Sequence, residues 1–204
     1  MIRPMLRAQA GYTMAELLVT AAVVAVVMSG LLSLLMSGQQ TYLVGTNRAE
    51  AQQNSRLVIN RMIQELRTAG YDPQNTGSFA AVTALASGTG FVLRNDWNAS
   101  GAIETNMTVS GKGEQITYTL TGNTLTRQES NVDGSAVTMS TAVNAMTIQY
   151  LDADDAVVST PSGANAANIR TVVIDVTTNP DTTVSGTAGQ VAVSTMNRVR
   201  IRNR

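Results

Sequence analysis

The sequence predicts an α+β protein: a long N-terminal α-helix, apolar in its first half and amphipathic in its second, packed on an antiparallel β-sheet head. Three observations carry this. Leu17 to Met36 read LLVTAAVVAVVMSGLLSLLM, twenty residues without a charge. Apolar residues then recur at helical spacing as far as Leu66, ahead of a Gly70 stop. From residue 75 onward the pattern turns to short alternating runs separated by Ser, Thr, Asn and Gly.

Residues 1–11, MIRPMLRAQAG, are basic and carry Pro4, so they do not read as a stable helix. The Leu17–Met36 run matches the hydrocarbon thickness of a bilayer at about 1.5 Å per residue. Arg3 and Arg7 precede it, and the next basic residue is Arg48. The positive-inside rule places the N-terminus in the cytoplasm and the bulk of the chain outside. A cleaved secretory signal would have a shorter apolar run followed by a small-x-small site, and no A-x-A pattern follows this one. An uncleaved signal anchor explains the run and the arginines, but not the residues between them.

Beyond Met36 the helical period persists. Leu57, Val58, Met62, Ile63 and Leu66 form one apolar stripe, with Arg48, Arg56, Arg61, Glu65 and Arg67 between them. The spacing predicts one nearly continuous helix from about Tyr12 to Ala69. Gly30, Ser33, Ser37 and Gly38 are points where it could bend. Gly70, followed by Tyr71-Asp72-Pro73, ends it.

In the head, two alternating runs flank Gly122-Asn123 between Gly111 and Ser130, a hairpin signal. Further strands are expected over Gly90–Arg94, Val143–Leu151, Ile169–Thr178 and Gln190–Arg202. Stretches 159–168 and 179–189 read as loops. The resulting division is 1–11 as a leader, 12–70 as the helix with its apolar segment at 17–36, and 71–204 as a β-rich globular head. Two phenylalanines, five tyrosines and one tryptophan make Val, Ile and Leu the main core-forming residues.

Composition narrows the chemistry. Fourteen basic residues balance fourteen acidic ones. Setting aside Arg3 and Arg7 leaves a weakly acidic body, with no general reason to bind nucleic acid. Cysteine and histidine are both absent. This excludes disulfides, thiolate metal sites, a cysteine nucleophile, and the commonest general base. No paired-carboxylate motif stands in for them. No enzyme, cofactor or metal site is expected.

Between the basic leader and the apolar run lies Gly11-Tyr12-Thr13-Met14-Ala15-Glu16-Leu17-Leu18-Val19. This resembles the processing site of type IV pilins and of type II secretion pseudopilins. The resemblance implies cleavage by a prepilin peptidase after Gly11, N-methylation of Tyr12, and an assembly and processing glutamate at the fifth mature position, which is Glu16. Phenylalanine is commoner in the family at the position of Tyr12, and larger aliphatics at those of Met14 and Ala15; here the segment stays apolar. A glycine at the cut lets a protease approach the backbone. A carboxylate at the lip of an uncharged run is costly unless paired. In a filament, Glu16 of one subunit is expected to meet the Tyr12 amine of a neighbour.

Arg61-Met62-Ile63-Gln64-Glu65-Leu66-Arg67-Thr68-Ala69-Gly70-Tyr71 is similar to a segment of PilW-type minor pilins, the type IV pilus-assembly protein W family. The closing stretch Asn197–Arg204 resembles the last strand of those proteins. Major pilins often carry a C-terminal disulfide loop and a proline at mature position 22; here cysteine is absent and that position is Ser33. The resemblance implies a minor pilin that primes or caps pilus assembly as a structural subunit. Its expected partners are other pilins through the N-terminal helix, the prepilin peptidase, and an inner-membrane assembly platform. Its expected location is the inner membrane, single-pass with the head in the periplasm, and then the filament or its tip. Two alternatives stand beside it: a J-type pseudopilin of a type II secretion system, and a single-pass membrane-anchored binding protein that never polymerises.

Four weaker signals remain. Arg198, Arg200, Arg202 and Arg204 would share one face of a strand, as an electropositive stripe for a partner pilin or DNA, or as a charge guard on an edge. Without interleaved aromatics, nucleic acid is the weaker option. Asp152, Asp154 and Asp155 could offer oxygen ligands to calcium, but lack the glycine and distal glutamate of an EF-hand loop, and a turn explains them equally. Trp97 is read either as a contact anchor or as a loop residue packed on the sheet. Tyr42, Leu43 and Val44 fall where an aromatic belt or a helix-packing surface is expected.

Overall fold

The computed structural model describes residues 11–86, 89–179 and 192–203. The expected leader, apart from Gly11, lies outside them, as do Arg204, most of the 179–189 loop and the start of the Gln190–Arg202 strand. The chain divides into two compact units, Met1–Val44 and Gly45–Arg204. Helix α1, Met14–Thr68, contributes residues to both.

In the first unit every described residue from Gly11 to Met36 is exposed, the apolar run included. The helix passes through Gly30, Ser33, Ser37 and Gly38 without interruption. Three hydroxyls within and just beyond the run bond inside the helix itself. Thr20 Oγ1 donates to the Leu17 carbonyl at 2.9 Å, Ser29 Oγ to that of Val26 at 2.8 Å, and Thr41 Oγ1 to that of Ser37 at 2.9 Å. In hydrocarbon such groups have no water to turn to, so internal bonding suits a lipid-facing helix.

In the second unit α1 buries Ala51, Ser55, Val58, Ile59, Met62, Ile63 and Leu66, a stripe of threes and fours. Leu57, expected on that stripe, is instead 62 % exposed, and Ile59 takes the inward position. The difference is one of angle: Leu57 lies about 100° from Val58 around the helix and falls just off the buried face. The helix ends where Gly70 adopts φ +81°, a left-handed cap that glycine accepts without strain. The Gly70 amide then donates to the Arg94 carbonyl at 2.9 Å, tying the helix end to the sheet.

The head contains two antiparallel sheets. The first is a meander of β1 Val82–Ala84, β2 Thr89–Arg94, β3 Gln115–Thr121, β4 Thr124–Glu129 and β5 Val137–Ser140, paired in that order. The β3–β4 hairpin turns at Gly122-Asn123 as expected, with Gly122 at φ +58°. The second sheet, in order β6-β7-β8, comprises β6 Val143–Leu151, β7 Thr171–Thr178 and β8 Val193–Arg200. Residues 163–168, expected as loop, wind into a short 3-10 helix, Gly163–Asn168. One apolar cluster joins the helix stripe to both sheets: Phe91, Leu93, Tyr118 and Leu125 from the first, and Met146, Val172, Ile174 and Val199 from the second. Phe91 stacks on Tyr118 with centroids 5.0 Å apart.

A charged network crosses this core between α1 and the first sheet, and Thr178 Oγ1 of β7 donates to the Ala51 carbonyl of α1 at 2.7 Å. Glu65 of α1 accepts hydrogen bonds from Tyr118 Oη at 2.6 Å and Arg127 Nε at 3.0 Å, and pairs with Arg61 one turn back at 2.7 Å. Arg127, 12 % exposed at its side chain, also reaches Glu129 at 2.6 Å and Asp133 at 3.2 Å. Burial, reinforced by the Glu65 charge, pushes the Tyr118 hydroxyl far above its ordinary pKa, so it stays a neutral donor. Burial works to lower the Arg127 pKa, but the carboxylates of Glu129 and Glu65 outweigh it and the net shift is upward.

Candidate processing and assembly segment

Gly11, Tyr12 and Thr13 are not helical, and α1 begins at Met14. The Gly11–Tyr12 peptide bond therefore precedes the first helical turn. A side chain added at Gly11 would meet nothing within 4 Å, and Tyr12 is 85 % exposed. The backbone at Gly11–Tyr12 is thus outside the helix and uncrowded.

Thr13 and Glu16 form a reciprocal pair at the helix start. The Glu16 amide donates to Thr13 Oγ1 at 3.2 Å, and the Thr13 amide donates to Glu16 Oε2 at 3.4 Å. The Leu17 amide donates to the Thr13 carbonyl at 3.1 Å, the first turn of the ladder. This is a capping box: Thr-x-x-Glu satisfies two of the amides that a helix start leaves unpaired. The carboxylate also sits at the positive end of the helix dipole. The sequence reading of Glu16 missed Thr13, although Thr followed three residues later by Glu, just ahead of an apolar run, is a legible signal for it. Thus Gly11 and Tyr12 stand free of the helix, while Glu16 is held one turn inside it.

The other singled-out residues lie in the head. Asp152 Oδ1 accepts from the amides of Asp154 and Ala156, both at 2.9 Å, so Asp152 builds the tight turn after β6. Asp155 pairs with Arg198. Among the described residues no three acidic, His or Cys side chains converge on a point that would hold a metal. Trp97 packs as a loop residue: it stacks on Tyr71 at 5.2 Å, Lys112 Nζ lies 4.7 Å from its ring centroid, and its Nε1 donates to the Gly113 carbonyl at 3.1 Å. Arg198, Arg200 and Arg202 are exposed and alternate with buried Val199 and Ile201.

The head's loops are organised by inaccessible carboxylates that sequence reading did not single out. Glu114 receives the amides of Trp97 at 3.0 Å, Asn98 at 3.3 Å and Glu104 at 2.9 Å. Asp96 receives those of Ser100 at 3.1 Å and Gly101 at 2.8 Å. Loss of hydration pushes the Glu114 carboxyl above its ordinary pKa. With their acceptor atoms committed to backbone amides, these carboxylates hold loops rather than perform chemistry.

Residues 6–32 match the family described as the prokaryotic N-terminal methylation motif. The matched span contains Gly11, Tyr12, the capping box and most of the apolar run. No curated protein matches the chain. The motif match supports a type IV pilin-like subunit processed by a prepilin peptidase. With the exposed apolar helix, it supports a membrane-anchored, single-pass chain.

Proposed function

We propose that the chain is a minor subunit of a type IV pilus, cut by prepilin peptidase between Gly11 and Tyr12 and N-methylated on Tyr12. Residues 1–11 are its leader, 12–70 its assembly helix and 71–204 its head. Before assembly it rests in the inner membrane with the head in the periplasm. An inner-membrane assembly platform then passes it into a filament, where α1 packs against the helices of other pilins. Its role there is to prime assembly or cap the tip.

One observation carries the reading: a methylation motif on residues 6–32 that opens a wholly exposed, uncharged helical run. Support for a minor rather than a main shaft subunit is the absence of cysteine, Ser33 at mature position 22, and the Arg61–Tyr71 segment. Glu16 is the residue on which assembly turns. Its carboxylate leaves the Thr13 amide and pairs with the Tyr12 ammonium of a neighbour, a stronger, charge-assisted contact in a medium of low dielectric constant. Glu16→Ala is expected to leave cleavage intact and abolish filament incorporation, read by immunoblot of sheared pili. Normal incorporation of the uncharged variant would sink the pairing.

A further inference from the structure

The second sheet ends in β8, which pairs with β7 on one side. Among the described residues no backbone hydrogen bond reaches its other edge. A cleft of about 440 Å³ beside β8 is lined by Arg198, Arg200 and Arg202, by the backbone-flanking Val199 and Ile201, and by Arg67 from the last turn of α1. Asn203 Nδ2 donates to the Thr68 carbonyl at 3.0 Å, which holds the chain after β8 against the end of the helix and keeps Arg202 near Arg67.

Four guanidinium groups thus share one cleft in a chain whose formal charge is zero. Arg198 has a carboxylate partner, Asp155, and both are more than half exposed. Among the described residues Arg67, Arg200 and Arg202 have none. Arg198 and Arg200 also line a neighbouring cleft with Arg170, Asp152 and Asp155, whereas among the described residues no acidic one lines the cleft that they share with Arg67 and Arg202.

We infer that the open edge of β8 is a docking site for an extended acidic segment of another protein, added as a further strand. Alternate residues on a strand lie about 6.6–6.8 Å apart. An added strand with carboxylates at every second position would place them in step with Arg198 and Arg200, with Arg202 in the bend just past the end of β8. Side chains pointing to its other face would meet Arg67. Main-chain hydrogen bonds along the edge supply affinity, and the guanidinium forks, which match carboxylates in shape, supply register. No aromatic side chain lines the cleft to stack a base, which sets a peptide ahead of a nucleic acid. The inference stands apart from the filament reading, because its test uses a free peptide.

The test is fluorescence anisotropy with the full chain in neutral detergent. The probes are a labelled peptide of alternating Glu and Thr, a peptide of the same composition with its glutamates in one block, and a double-stranded DNA oligonucleotide. The alternating peptide is expected to bind about tenfold more tightly than the blocked one. Arg200→Gln with Arg202→Gln is expected to weaken it about tenfold, and Arg67→Gln alone a few-fold, as for solvent-screened pairs. Circular dichroism confirms that each exposed substitution leaves the fold intact. Equal affinity for the two peptides, tighter binding of DNA, or no binding at all would each overturn the inference, the last leaving the arginines as guards of an edge strand.

Discussion

Glu16 lies one turn into a helix whose next charged residue is Arg48. Its carboxylate is shared with the Thr13 amide, and the Thr13 hydroxyl with the Glu16 amide. Removing one half of a capping box typically costs about 1 kcal/mol. Thr13→Val should therefore raise amide hydrogen exchange at Glu16 and Leu17 about fivefold in micelles, while exchange beyond Ala22 is unchanged. Equal exchange in both forms would show that the cap contributes nothing. A second residue-scale effect sits at the far end of α1. Asp72 accepts the Gly77 amide at 2.9 Å and Thr76 Oγ1 at 3.2 Å. The Gly77 bond, with those of Thr76 and Asn75, outweighs the cost of partial burial and lowers the Asp72 pKa from its ordinary value. A carboxyl depressed on folding stabilises above its unfolded pKa and loses that contribution as pH falls through the folded one. Asp72→Asn is thus expected to narrow the drop in melting temperature between about pH 5 and about pH 2.5. Glu114, shifted the other way by burial, favours the folded state at low pH, so the comparison must be of variant against parent. Identical acid limbs would rule out the Asp72 contribution.

At the scale of elements, the helix was the most legible part of the sequence and the sheet edges the least. Twenty uncharged residues and a stripe at threes and fours can only be a long helix, and Gly70 supplies the left-handed end that stops it. The β3–β4 hairpin was legible because Gly122 sits where a tight turn requires positive φ. β1 and β5 were not expected. They are three and four residues long, and their strand character comes from pairing with β2 and β4 rather than from local alternation. The division into two sheets was equally hidden, since nothing local tells β6 to pair with β7 and not with β5. The Glu65–Arg127–Tyr118 network was invisible for the same reason: its members are 53 and 62 residues apart. Losing one partner of a largely buried ion pair costs about 3 kcal/mol. Arg127→Met should lower the head's melting temperature by about 6–12 °C. Adding Glu65→Gln should cost less than the sum of the two single changes, because both break one network. Additive losses would mean that Glu65 and Arg127 do not act as one network.

At the scale of the molecule, the chain carries a wholly exposed run of Leu, Val and Ala that water does not tolerate. Moving each Leu or Val out of water gains about 1.5–3 kcal/mol. Such a surface demands a bilayer or a bundle of like helices, and the absence of charge between Glu16 and Arg48 suits both. Cleavage after Gly11 is the proposed event that turns a membrane anchor into a filament subunit, since it creates the Tyr12 ammonium that Glu16 can meet. The most direct measurement is mass spectrometry of the N-terminus of the protein extracted from its native membranes. The predicted result is a chain that begins at methylated Tyr12. A chain still beginning at Met1, in cells with an active prepilin peptidase, would contradict the filament reading and leave a membrane-anchored protein that does not polymerise.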